Sequence, residues 1–73
     1  MINDELVKSL LDRIPGAESV VLDGMCIFVL CKQSDVPLAR YVGDLDVGDY
    51  SVCAVKARTS FADEILASGE VLA

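Results

Sequence analysis

Seven consecutive apolar residues, 25–31, are the strongest feature in the pattern of hydrophobic and polar positions along the chain. Turn-forming residues flank the run, with Asp23-Gly24 before it and the polar segment 32–35 after it. A strand with one face in water alternates apolar with polar residues, so an unbroken run predicts a strand buried on both faces. A buried helix segment is the competing interpretation, and the run is too short to favour it.

Helical periodicity precedes this strand. Asn3 has the character of an N-cap, and Asp4 and Glu5 follow in the first turn, where the helix dipole favours negative charge. Pro15-Gly16 predicts the end of the helix, since the residue before proline avoids the α region. The apolar stripe between these limits consists of Leu6, Val7, Leu10, Leu11 and Ile14.

A second helix is predicted near the end of the chain. Ser60 is the expected N-cap, with Asp63 three residues later in a capping-box arrangement. Gly69 is expected to close the helix in the left-handed conformation. The predicted inner stripe consists of Phe61, Ala62, Ile65 and Leu66. Residues 70–73 are expected to form a short tail, too apolar to be simply solvated.

Three further strands are predicted at residues 18–22, 38–42 and 50–57. Asp23-Gly24 is a hairpin signal, which predicts that Leu22 lies opposite Met25. The expected fold is a single compact α+β domain, 1–73, in the order α-β-β-β-β-α. Its four-stranded sheet is expected to be mainly antiparallel, with both helices packed on one face.

The composition adds a further prediction, namely that part of the apolar surface of this fold is exposed to solvent. The chain has 73 residues, of which 53% are hydrophobic, and a chain of this size buries only about 60% of its unfolded surface. Both faces of the predicted sheet are apolar, and two helices on one face leave the other open. We therefore expect a homodimer, or a different partner, to cover the open face, which carries either Ile27 and Val29 or Cys26, Phe28 and Leu30.

The charge predicts the kind of partner. Twelve acidic and six basic residues give a net charge of −6, so nucleic acids and anionic membranes are poor partners and a basic protein surface is a good one. The expected contacts are the carboxylates of Asp44, Asp46 and Asp49 in the acidic turn. Tyr41 and Tyr50 are candidate interface aromatics, although half-buried strand tyrosines explain them equally well.

Candidate chemistry is sparse. Asp44, Asp46 and Asp49 resemble the start of a calcium loop, but Asp49 and Val55 stand where an EF-hand needs glycine and glutamate. The chain has no histidine. Its three cysteines, Cys26, Cys31 and Cys53, form no CxxC motif, which favours reduced structural thiols over catalytic or metal-binding ones. We therefore expect no enzyme activity, no metal and no cofactor.

These observations favour a small acidic interaction protein. Phage-encoded inhibitors of host defence, anti-CRISPR proteins among them, have this size and charge, and such a protein would block a basic, nucleic-acid-binding surface of a host complex. The alternative is an accessory subunit that completes a larger assembly; a small-ligand binder or enzyme is less favoured. The first residues lack a basic segment and no apolar run approaches about 20 residues, so a cytoplasmic location is expected.

Overall fold

The computed structural model describes residues 2–32, 39–43 and 50–73, and for 39–43 it describes the backbone. The fold is α+β, as predicted, and these described residues form two helices and a four-stranded sheet that a very short strand extends at one edge. The helices are α1 (Asp4–Arg13) and α2 (Ser60–Ser68). The strands are β1 (Ala17–Asp23), β2 (Cys26–Cys31), β3 (Ala39–Gly43), β4 (Ser51–Lys56) and β5 (Glu70–Val71).

The sheet is mixed, and its strand order is β3-β4-β2-β1-β5. β2 and β4 form a parallel pair at the centre, while β3 lies outside and pairs antiparallel with β4. The prediction of a mainly antiparallel sheet is therefore wrong at its centre. β4, like β2, has a centre that is buried on both faces, since Val52, Ala54 and Val55 are all fully buried. Strands buried on both faces occupy the interior of a sheet, and this requirement outweighs the closeness of β2 and β3 along the chain.

The hairpin between β1 and β2 is displaced by one residue from the predicted turn. Gly24, with φ +61, and Met25 form the loop, so Leu22 pairs with Ile27 instead of Met25. Glycine at the first central position is typical of a type II′ turn. Each pairing thereby shifts by two residues. Because side chains alternate with a period of two, the predicted composition of each face of the β1–β2 ribbon is unchanged apart from Met25, which lies in the turn.

The two helices pack on opposite faces of the sheet. Val20 and Val21 are consecutive residues of one strand and therefore point to opposite sides. Val20 belongs to the α1-side core, with Val7, Leu10, Ile14, Ile27, Val29, Cys31, Val52 and Ala54. Val21 belongs to the α2-side core, with Leu30, Val55, Ala62 and Ile65. The prediction that both helices share one face is wrong, because each apolar face of the sheet is covered by a helix of its own.

The start of α1 follows the prediction. Asn3 caps it, and the Asn3 Oδ1 accepts a hydrogen bond from the Leu6 amide at 2.9 Å. The start of α2 differs by one residue, because Thr59 is the cap and Ser60 is the first helical residue. The Thr59 Oγ1 accepts from the Ala62 amide at 3.1 Å and donates to the Lys56 carbonyl at 3.0 Å. Thr59 therefore also ties the helix to the end of β4.

The end of α2 is determined by close packing. Gly69 has φ −96, so the predicted left-handed cap is absent at this residue. A Cβ atom on Gly69 would lie 2.5 Å from the Val21 Cγ1 and 3.0 Å from the Leu22 carbonyl oxygen. Glycine is needed here because the chain passes against β1. The predicted tail then continues as β5, in which Val71 pairs with Val21, and the Leu72 amide donates to the Val20 carbonyl at 2.8 Å.

Candidate partner-binding surface

The sequence-predicted contact residues are distributed over several parts of the chain. Asp44, Asp46 and Asp49 lie outside the described residues. Tyr41 belongs to β3, where its backbone pairs with that of Cys53. Tyr50 is half-buried and packs against the α1-side core. For Tyr50 this burial agrees with the structural alternative, that of a half-buried tyrosine at the start of a strand.

Of the two candidate open faces, the one that carries Cys26, Phe28 and Leu30 lies under α2. Leu30 is only 3% exposed, within the α2-side core. Phe28 is half-buried and meets Phe61 of α2 edge to face, with ring centroids 6.3 Å apart. Cys26 is half-buried on the same face. Since α2 covers this face, the argument that a second copy must cover it is removed, and the homodimer stays a prediction.

The segment that follows Arg58 presents a different surface. Residues 59–73 contain three carboxylates, those of Asp63, Glu64 and Glu70, and no lysine or arginine. All three carboxylate residues are exposed. Two large apolar residues of the same segment are also exposed, Leu66 by 41% and Val71 by 54%. We call these five residues the C-terminal surface.

The fold explains why these side chains point outward. Ala62 and Ile65 occupy the face of α2 that packs on the sheet, so Asp63 and Glu64 project away from it. Leu66, predicted to belong to the inner stripe, lies at its margin and is exposed. Val71 pairs with Val21, which places both side chains on the α2 side of the sheet. Asp63, Glu64, Leu66 and Val71 therefore lie on the α2 side. Glu70 pairs with Leu22, whose side chain packs against the α1-side core, so Glu70 points to the opposite face at the edge of the sheet.

Hydrogen bonds and an ion pair hold the margins of this surface. The Ser68 hydroxyl lies 3.2 Å from an Asp23 carboxylate oxygen and donates to the Glu64 carbonyl at 3.0 Å. Arg58, the last cation of the chain, pairs with Glu18 at 3.1 Å. Glu18, which lies outside the C-terminal surface, thus partly neutralises the charge of Arg58. The net charge of the C-terminal surface therefore remains negative.

The opposite side of the molecule carries a groove between α1 and the end of the chain. Its volume is about 400 Å³. The lining combines two carboxylates and one ammonium group with apolar side chains: Asp4, Glu5, Lys8, Val7, Leu11, Leu72 and Ala73. The positive charge of Lys8 within the groove makes it less suited to a basic partner than the C-terminal surface.

The cysteines divide between the two faces of the sheet. All three are thiols. Cys31 is buried in the α1-side core, and its sulfur lies 3.5 Å from the Val29 carbonyl oxygen. Cys26 and Cys53 are half-buried on the other face. Burial, and secondarily the neighbouring Cys26, raises the pKa of the Cys53 thiol above its ordinary value of 9.0.

Several kinds of site were not found in the described part of the chain. Residues 2–32, 39–43 and 50–73 contain no group of three or more histidine, cysteine or acidic side chains placed to hold a metal ion. Within residues 2–32 and 50–73, where burial is described, no buried polar or charged residue occurs, and neither α1 nor α2 has the length and apolar character of a membrane span. Comparison with protein-family models, curated proteins and solved structures found no match.

The C-terminal surface was missed by the sequence analysis, although part of its signal was present. The absence of basic residues after Arg58 is visible in the sequence. The exposure of Leu66 and Val71 is not, because helical periodicity alone placed Leu66 in the inner stripe. Only the packing of α2 distinguishes its buried residues from those at the margin.

Proposed function

We propose that this chain is an interaction protein that binds a basic surface of another protein through the C-terminal surface, together with the predicted acidic turn at Asp44, Asp46 and Asp49. The observation that carries the proposal is the joint exposure of three carboxylates and two large apolar side chains in a segment without any cation. Among the described residues, no convergent set of buried polar side chains favours catalysis instead.

The arrangement has the composition of a binding site for arginine- and lysine-rich surfaces. Leu66 and Val71 supply apolar area whose burial contributes about 25 cal/mol per Å². Asp63, Glu64 and Glu70 are exposed, so they steer encounter with a positively charged partner and align it. Exposed carboxylates affect the rate of association more than the affinity, and this makes the proposal testable by kinetics.

The partner class that best fits an acidic ligand is a protein whose basic surface otherwise binds nucleic acid, because phosphate contacts require clustered cations. The chain would then act as an inhibitor that competes with the nucleic acid, in the manner of phage-encoded anti-defence proteins. The net charge of −6 supports this competition.

A second candidate is an accessory subunit. β5 is an edge strand of only two residues, both exposed, so a strand of another protein could extend the sheet beside it. In that case backbone pairing would dominate the contact, and the carboxylates of the C-terminal surface would contribute little.

The experiment compares two triple variants with equal changes in net charge. Asp63→Asn/Glu64→Gln/Glu70→Gln neutralises the C-terminal surface, whereas Asp4→Asn/Glu5→Gln/Asp12→Asn neutralises α1 on the other side of the sheet. A partner is captured from host lysate at moderate salt, and its association with each variant is measured over a salt series. Since electrostatic steering changes association rates by one or more orders of magnitude, the first variant should associate about tenfold more slowly than the wild type.

The outcomes separate the hypotheses. Slower association of the first variant alone, with DNA or RNA competing for the captured protein, supports the inhibitor. Equal slowing by both variants would show that only net charge matters and would overturn the assignment of the surface. Unchanged rates and salt dependence in both would favour the accessory subunit, which binds through backbone pairing.

A further inference from the structure

Cys26 and Cys53 are neighbours on the central parallel pair of strands. In the β2–β4 register, Cys26 pairs with Ser51 and Phe28 pairs with Cys53. The two cysteines are therefore diagonal neighbours, two residues apart in register. They share the α2 side of the sheet with Phe28, since residues 26 and 28 of one strand point the same way. Both are half-buried, and therefore accessible to a small ion.

Their spacing suits a bridging ion better than a disulfide. Two residues along a parallel strand span about 6.6 Å and adjacent strands lie about 4.8 Å apart, so the two Cα atoms are about 8 Å apart. The Cα atoms of a disulfide lie only about 4.4–6.8 Å apart. A metal ion bound by two thiolates at about 2.3 Å each separates the sulfur atoms by up to about 4.6 Å. The additional reach allows an ion to connect the two side chains without a shift of the backbone.

We propose that Cys26 and Cys53 form a two-thiolate binding site for a soft monovalent metal ion, with Cu(I) as the ion that matches its chemistry. Thiolates are the ligands that Cu(I) prefers, and this ion accepts two of them in a linear arrangement. Zn²⁺ requires four ligands in a structural site, and the described residues bring no group of three or more together. On binding, each thiol releases its proton to solvent, and the ion with its two thiolates carries one negative charge.

Cys31 provides a matched control within the same strand. It lies in the α1-side core, fully buried on the opposite face from Cys26, so it cannot complete the site. Any binding that depends on Cys31 as much as on the other two thiols would therefore arise from an unfolded or rearranged chain.

The test is an anaerobic titration of the full chain with Cu(I), using bicinchoninate as a coloured competitor. We expect one ion per chain. Since even changes outside the ligand shell cost about 10–100-fold in metal affinity, Cys26→Ser and Cys53→Ser should each weaken binding at least tenfold. Cys31→Ala should leave it within a factor of about three, and Zn²⁺ should not compete. Absence of binding, one ion per two chains, or equal loss in Cys31→Ala would overturn the proposal.

A second measurement on the wild type avoids dependence on folded variants. Bound Cu(I) should protect Cys26 and Cys53 from alkylation by N-ethylmaleimide, as located by peptide mass spectrometry, and the copper absorption edge should report two sulfur ligands. Protection of only one of these two cysteines would contradict the site. Neither readout involves the carboxylates of the C-terminal surface, so the result is independent of the proposed function.

Discussion

The two helices cover opposite faces of one sheet and differ in what they present to solvent. α1 contributes Val7 and Leu10 to the larger of the two cores, and its exposed side carries both signs of charge, including Lys8. α2 contributes Ala62 and Ile65 to a smaller core, and its exposed side is acidic without any cation.

This difference suggests a division of roles between the two faces. The α1 side buries more apolar side chains, and Lys8 and Arg13 offset two of the three carboxylates on its helix. The α2 side buries fewer and leaves Leu66 exposed beside unbalanced carboxylates. Under the proposed function, Leu66 and the neighbouring carboxylates belong to the surface that contacts the partner. Three sets of substitutions test this comparison.

The largest effect is expected from the same substitution made on each helix. Leu10 is 1% exposed in the α1-side core, so Leu10→Ala should lower the free energy of unfolding by about 2–5 kcal/mol. Leu66→Ala, at a residue that is 41% exposed, should change it by only about 0.5 kcal/mol. Urea denaturation monitored by circular dichroism measures both. A loss at Leu66 as large as that at Leu10 would show that α2 packs more tightly than its exposure indicates.

A smaller effect is expected where α2 meets β1. In Gly69→Ala the added Cβ would lie 2.5 Å from the Val21 Cγ1 and 3.0 Å from the Ile65 carbonyl oxygen. Forcing an extra carbon into a packed site costs about 1–3 kcal/mol, and the thermal midpoint should fall accordingly. Ala67→Ser, at an exposed neighbouring residue, is the control and should have little effect. An unchanged midpoint in Gly69→Ala would mean that the end of α2 moves away from the sheet at no cost.

The smallest effect is expected at the helix caps. Removing a capping side chain costs about 0.5–2 kcal/mol. Asn3 is exposed and accepts one hydrogen bond, whereas the partly buried Thr59 hydroxyl both accepts from α2 and donates to β4. Thr59→Ala should therefore cost more than Asn3→Ala in chemical denaturation, and Thr59→Ser, which keeps the hydroxyl, should retain most of the stability. A larger loss of stability in Asn3→Ala than in Thr59→Ala would show that the two hydrogen bonds of Thr59 do not make its cap the stronger one.

The candidate site could be predicted only in part. The acidic character of the chain follows from counting residues, and so does the absence of cations after Arg58. The location of the C-terminal surface depends on which residues of α2 face the sheet. Leu66 and Ile65 are equally apolar in sequence, but Ile65 is buried and Leu66 is exposed. Periodicity defines a stripe, and its margins depend on what the helix packs against.

The sequence by itself determined the local elements of this protein. It determined the first helix with its Asn3 cap, a central strand with two apolar faces, and the presence of a hairpin before that strand, although not the exact turn, because periodicity and caps act within a few residues. Tertiary structure decided that β4 lies between β2 and β3 and that a helix covers each face of the sheet. It also decided that residue 69 packs so closely against β1 that only glycine fits there. These features depend on contacts between residues that are distant in sequence. Burying both faces of β2 requires apolar strands beside it and a helix on each face, and no local pattern specifies which strands and helices these are.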